Sequence, residues 1–83
     1  MNLKKRICII SEKEEEIRDF ILHRLHSGAT IYQGYGAYDN QPKKEIITIV
    51  DKNDYALLIS YILKTDPNAF VTVYTVNEVL HRG

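Results

Sequence analysis

The chain has a single cysteine, Cys8, among its 83 residues. One thiol excludes an intrachain disulfide, a four-cysteine zinc site and an iron–sulfur cluster held by this chain alone, and it fits a reducing compartment. Charge of one sign is not in excess either, because Lys plus Arg and Asp plus Glu both number 11. No global field then draws the chain to a nucleic-acid polymer or an anionic bilayer. Long hydrophobic runs are missing: Ala56 to Ile59 and Tyr61 to Leu63 fall far short of the roughly 18 to 20 apolar residues that span a bilayer. The run Ile7 to Ile10 is too short for a signal-peptide core, so a cytosolic location is expected. The length suits one hydrophobic core and therefore a single domain over residues 1–83.

What is present reads as alternating strands and helices. Ile7-Cys8-Ile9-Ile10 is a β-branched strand, and Ser11 with Glu14 three residues later reads as a capping box. Glutamates in the first turns suit the helix dipole, and Ile17, Phe20, Ile21 and Leu25 follow helical spacing, which predicts a helix from Glu12 to about His26. Gly28 stands where a left-handed cap is expected. Extended chain resumes at Ala29-Thr30-Ile31-Tyr32, a polar turn follows, and Glu45 to Val50 reads as the second arm of a hairpin. Asp51 caps a second helix whose inward stripe is Tyr55, Leu58, Ile59 and Ile62, and Asp66-Pro67 ends it. Phe70 to Val76 is the last full strand, with Glu78-Val79-Leu80 as an added edge piece. This order predicts an α+β, ferredoxin-like βαββαβ sandwich with two helices on one face of a four-stranded antiparallel sheet. Both parities of the third and fourth strands are apolar, so the helix-free face is expected to meet another chain and the domain to form a homo-oligomer.

Each chemical motif competes with a simpler reading. Gly34-x-Gly36 opens like a dinucleotide fingerprint, but Asp39 occupies the third glycine's place and no helix follows. These glycines suit a bent strand, or a bare backbone that receives a planar anion between Tyr35 and Tyr38. His23 and His26 lack partners at ligand spacing, so no metal site is expected. Ser11, Ser27 and Ser60 assemble no triad, and Asp51, Asp54 and Asp66 act as helix punctuation, so no enzyme is expected. Cys8 reads as a small buried side chain. The third strand has no aromatic residue for stacking RNA bases. Leu57 and Tyr61 point away from the core stripe and are expected at an interface, together with Tyr32 and Tyr35.

Four blocks, Ser27-Gly28-Ala29-Thr30, Gly34-x-Gly36-Ala37-Tyr38, Asp66-Pro67-Asn68-Ala69-Phe70-Val71 and Glu78-Val79-Leu80, together resemble the C-terminal domain of YitT-type bacterial membrane proteins. The family pattern has Thr-Gly where this chain has Asp39-Asn40. The resemblance implies a cytosolic domain of unknown function attached to a transmembrane bundle, with a fold similar to PII-type signalling proteins. The expected function is a non-enzymatic regulatory module that needs no cofactor and senses a small molecule or nucleotide near Thr30, Gly34, Gly36, Tyr38, Asp66 and Asn68. The alternative is a structural homo-oligomerisation domain without a ligand.

Overall fold

The computed structural model describes residues 3–77; the expected edge piece at Glu78-Val79-Leu80 lies outside them. Strands β1 (Lys4–Ile10), β2 (Thr30–Tyr35), β3 (Pro42–Val50) and β4 (Phe70–Val76) form one sheet in the order β2-β3-β1-β4, with every neighbouring pair antiparallel. Helix α1 (Glu14–Asp19) leads into a π-helical turn (Phe20–Arg24) and packs against β3, while α2 (Lys52–Thr65) packs against β1. This is the expected βαββαβ sandwich.

Alternation of side chains sorts the sheet into two faces. Ile7 and Ile9 of β1, Ile46 and Val50 of β3, Ile17 and Ile21 of the first helix and Leu58 and Ile62 of α2 form the buried core. Thr48, opposite Ile7, is also buried there and donates from Oγ1 to the Gly28 carbonyl at 2.8 Å. The other parity lies on the face without helices: Cys8 is flanked by Ile47 and Thr72, and Arg6 by Ile49 and Tyr74. The Arg6 guanidinium stacks over the Tyr74 ring at 5.4 Å.

Local structure departs from expectation at several places. The Ser11–Glu14 capping box does not form: the Ser11 hydroxyl donates to Asp66 and accepts from the Lys13 N–H at 2.8 Å, so α1 starts only at Glu14. The first helix also ends earlier and wider than its apolar spacing suggested. Leu25 N–H reaches the Phe20 carbonyl and Ser27 N–H the Ile21 carbonyl, a closure wider than an α-helical turn. His26, at φ 55°, takes the left-handed position expected of Gly28. Finally, Tyr61 does not point outward with Leu57. Its ring stacks on Phe20 at 4.1 Å and its hydroxyl points to the Glu16 carbonyl, so it joins the two helices and leaves Leu57 exposed alone. The cap on α2 forms as expected, with Asp54 N–H donating to Asp51 Oδ1 at 2.8 Å. The hairpin is longer than expected because pairing reaches Pro42, opposite Tyr35.

Candidate functional site

Three chain segments converge beyond the end of β1. Ile10 leads into Ser11, α2 ends at Asp66, and the β2–β3 hairpin leans across from the other side. They enclose an open cleft of about 1120 Å³. Its floor is polar: Ser11 Oγ donates to Asp66 Oδ2 at 2.5 Å, and Asn68 N–H donates to Asp66 Oδ1 at 2.9 Å. The Ser11 hydroxyl is the largest influence holding the Asp66 carboxyl below its ordinary range, with the Asn68 N–H acting in the same direction. Glu14 also borders the cleft and is buried; its Oε1 makes no hydrogen bond and faces the Arg18 guanidinium at 3.6 Å.

The hairpin supplies the opposite wall. Gly36 N–H donates to the Gln41 carbonyl at 2.9 Å, Asn40 N–H returns to the Gly36 carbonyl at 2.8 Å, and Asp39 Oδ1 accepts from Gln41 N–H at 3.1 Å. This closed turn brings Asp39 and Gln41 to the cleft beside Lys43 and Lys44. Phe70, 63 % exposed, adds an aromatic wall at the start of β4.

Of the expected ligand residues, Asp66 and Asn68 line this cleft. Gly34 lines an adjoining hollow with Tyr32, Tyr35 and Lys43. Gly36 stands behind the wall, closing the turn without a positive φ; the left-handed residue is Asn40, at φ 54°. Thr30 and Tyr38 are not part of the cleft lining: Thr30 pairs with Ile47 farther back on the sheet, and Tyr38 is fully exposed on the hairpin turn. Ser11, Lys43 and Lys44 were missed because each had a sufficient local reading, as a cap or as turn residues. Antiparallel register could have found the lysines, since a hairpin sets Lys43 and Lys44 opposite Gly34 and Gln33. Among the described residues no three His, Cys, Asp or Glu side chains group to hold a metal ion, and no helix is long and apolar enough to cross a membrane.

Residues 27–81 match the family described as uncharacterized protein conserved in bacteria (DUF2179). The chain belongs to the DUF2179 family. It is 34% identical to the UPF0750 membrane protein YxkD of Bacillus subtilis over 83 residues, which is 100% of this chain and 30% of YxkD. To YpjC, another UPF0750 membrane protein of that organism, it is 38% identical over 79 residues, 95% of this chain and 27% of YpjC. The chain therefore spans less than a third of either relative, and YitT itself is 25% identical over 72 residues. A DUF2179 protein from Eubacterium ventriosum superposes with a TM-score of 0.73 at 30% identity, covering 86% of this chain and 97% of that one. A putative PII-like signalling protein from Thermus thermophilus gives a TM-score of 0.68 at 19% identity, covering 92% and 87%. The CPII protein of Thiomonas intermedia, bound to ADP, AMP and acetate, gives 0.64 at 20% identity, covering 93% and 90%. These last two likenesses establish a PII-like fold.

Proposed function

We propose that this DUF2179 domain is a non-enzymatic, ligand-sensing module on the cytosolic side of a UPF0750-type membrane protein, and that it passes occupancy of its cleft to an attached transmembrane part. The observation that carries the reading is the convergence of the Asp66–Asn68 turn, the end of β1 and the β2–β3 hairpin on one cleft, because a ligand bound there touches all three segments at once. The structural neighbour CPII holds ADP and AMP, which makes nucleotides the first class to consider.

Charge narrows the class. Glu12, Glu14, Asp39 and Asp66 border the cleft against Lys43 and Lys44, so a triphosphate meets more repulsion than attraction. A nucleoside monophosphate suits the mixture better. Its phosphate pairs with Lys43 and Lys44, its hydroxyls and amino group donate to carboxylates, and its ring lies against Phe70. A thermal-shift series with AMP, ADP and ATP tests this: AMP raises the melting temperature with saturable dose dependence, and K43A/K44A abolishes the rise. No shift with any of the three overturns the nucleotide reading.

A second reading, homo-oligomerisation without a ligand, rests on the helix-free face, where Tyr32, Ile49, Phe70 and Tyr74 are all exposed. In that case the mass in solution exceeds that of one chain and no small molecule changes stability.

A further inference from the structure

Among the described residues the sheet ends on two edge strands, β2 and β4, and they differ in their surroundings. Strand β4 carries Phe-Val-Thr-Val-Tyr-Thr-Val, with no charge, proline or glycine, and its outer side has no strand partner among the described residues. Natural edge strands are usually protected by lysine, proline, a bulge or a covering element; β4 contains no lysine or proline, and its register with β1 is unbroken. Helix α2 packs on β1, the strand next to β4, and Tyr61 marks the flank turned toward α1. At 100° per residue, Ile59 and Leu63 lie about 200° from Tyr61, on the flank toward β4. Leu63 is 62 % exposed there, and Val73, on the helix-bearing face of β4, is 38 % exposed. The exposed residues of α2 from Asn53 to Leu63 are Asn53, Ala56, Leu57, Ser60 and Leu63, none of them charged. The helix on the other side is mostly charged where it is exposed: Glu15, Glu16, Asp19, His23 and Arg24 face solvent on it, with Leu22 as the one exposed apolar residue.

We propose that β4 adds edge to edge, antiparallel, to β4 of a second copy of this chain, making a continuous eight-stranded sheet whose two α2 helices flank the seam. This goes beyond the ligand-sensing reading and does not depend on it. The occupant is a copy because the edge complements itself. With helices on the same side, opposed residues must share parity, so a two-fold axis passes through a residue. Centred on Val73, it pairs the whole strand: Phe70 with Val76, Val71 with Thr75, Thr72 with Tyr74, and Val73 with itself. Every pair joins neutral residues of high β-propensity, and no like charges oppose each other. On the helix side the seam covers Val73 and brings the Leu63 flanks toward each other. A net charge of zero leaves no long-range repulsion between copies.

The test uses the 83-residue chain and two variants at Val73. Light scattering at tens of micromolar is expected to give twice the 9.6 kDa mass of one chain. V73K sets two ammonium groups face to face and weakens the dimer by roughly tenfold or more, while I49K, on the open face away from the seam, leaves the dimer intact. V73C, under mild oxidation, forms a disulfide-linked dimer across the axis, which keeps the test decisive if V73K fails to fold. A monomer, a trimer, a dimer indifferent to V73K, or a V73C thiol that stays unlinked overturns the proposal. The nucleotide melting series reads separately, so either idea can fail without the other.

Discussion

The hydroxyl of Ser11 donates a 2.5 Å hydrogen bond to Oδ2 of Asp66, tying the end of β1 to the end of α2 across 55 positions of sequence. Because this bond lowers the Asp66 pKa, the ionised carboxylate stabilises the fold. That contribution is complete above the ordinary carboxyl value, near pH 4, and is lost as pH falls through the lower folded value. Ser11→Ala is expected to unfold at lower urea than the parent at pH 7, with the gap narrowing as pH falls below the ordinary carboxyl value, near pH 4. A gap that stays constant with pH assigns the loss to packing instead.

The Phe20–Tyr61 stack is the aromatic joint between the helices, and aromatic pairs contribute about 0.5–1.5 kcal/mol beyond the area they bury. Tyr61→Ala should cost roughly 2–3 kcal/mol in urea unfolding. Tyr61→Phe should cost well under about 1 kcal/mol, since the hydroxyl reaches the Glu16 carbonyl only at 3.5 Å. Equal losses in the two variants would move the weight from the ring to the hydroxyl.

Thr48 is the polar member of the core layer, and its hydroxyl satisfies the Gly28 carbonyl where the chain turns into β2. Thr48→Val keeps the shape and removes the donor, with an expected cost of about 1–3 kcal/mol. Faster amide exchange in the first residues of β2 than in β1 would locate the damage at this anchor; uniform exchange would argue against it.

Most of the fold was legible because its signals are local and agree with one another. The β-branched run at Ile7, the Asp51 cap with its 3.6-residue stripe, and the Asp66-Pro67 stop each name an element, and strand order then leaves few topologies. The helix-free face was legible too, since Ile47 and Ile49 alternate with Ile46 and Val50. Ser11 was misread because one hydroxyl has two local uses, and its choice of Asp66 is a tertiary contact. The π-helical turn at Phe20–Arg24 has no composition signal, so His26 rather than Gly28 took the left-handed position. Angle alone points Tyr61 outward, but a long aromatic side chain can swing to a neighbouring helix, as its stack on Phe20 shows. At the cleft, Asp66 and Asn68 were found by resemblance and the lysines were not, because a Lys-Lys pair beside a proline turn reads as solvated surface.

Two glycines in the hairpin separate open space from a wall that bears on the cleft. A Cβ at Gly34 would meet nothing within 4 Å, and its φ is not positive. Gly34→Ala should therefore stabilise by about 0.4–1 kcal/mol, through the reduced freedom of the unfolded chain. Gly36 also lacks a positive φ, so backbone strain is no obstacle there either. A Cβ at Gly36, however, would lie 2.5 Å from Asp39 Oδ1 and 2.8 Å from Lys43 Cε. Both are ends of flexible side chains, so the clash is relieved by movement, but Asp39 Oδ1 must then release the Gln41 N–H that it holds at 3.1 Å. The expected cost of Gly36→Ala is about 1 kcal/mol, one turn hydrogen bond. Lys43 is displaced in the same step, and it is one of the two cations in the cleft. Gly36→Ala should thus also weaken AMP binding, whereas Gly34→Ala should leave it unchanged. Calorimetric titration beside urea unfolding checks both halves. Gly36→Ala matching Gly34→Ala in both measurements would mean that the turn yields freely and that its wall does not position Lys43.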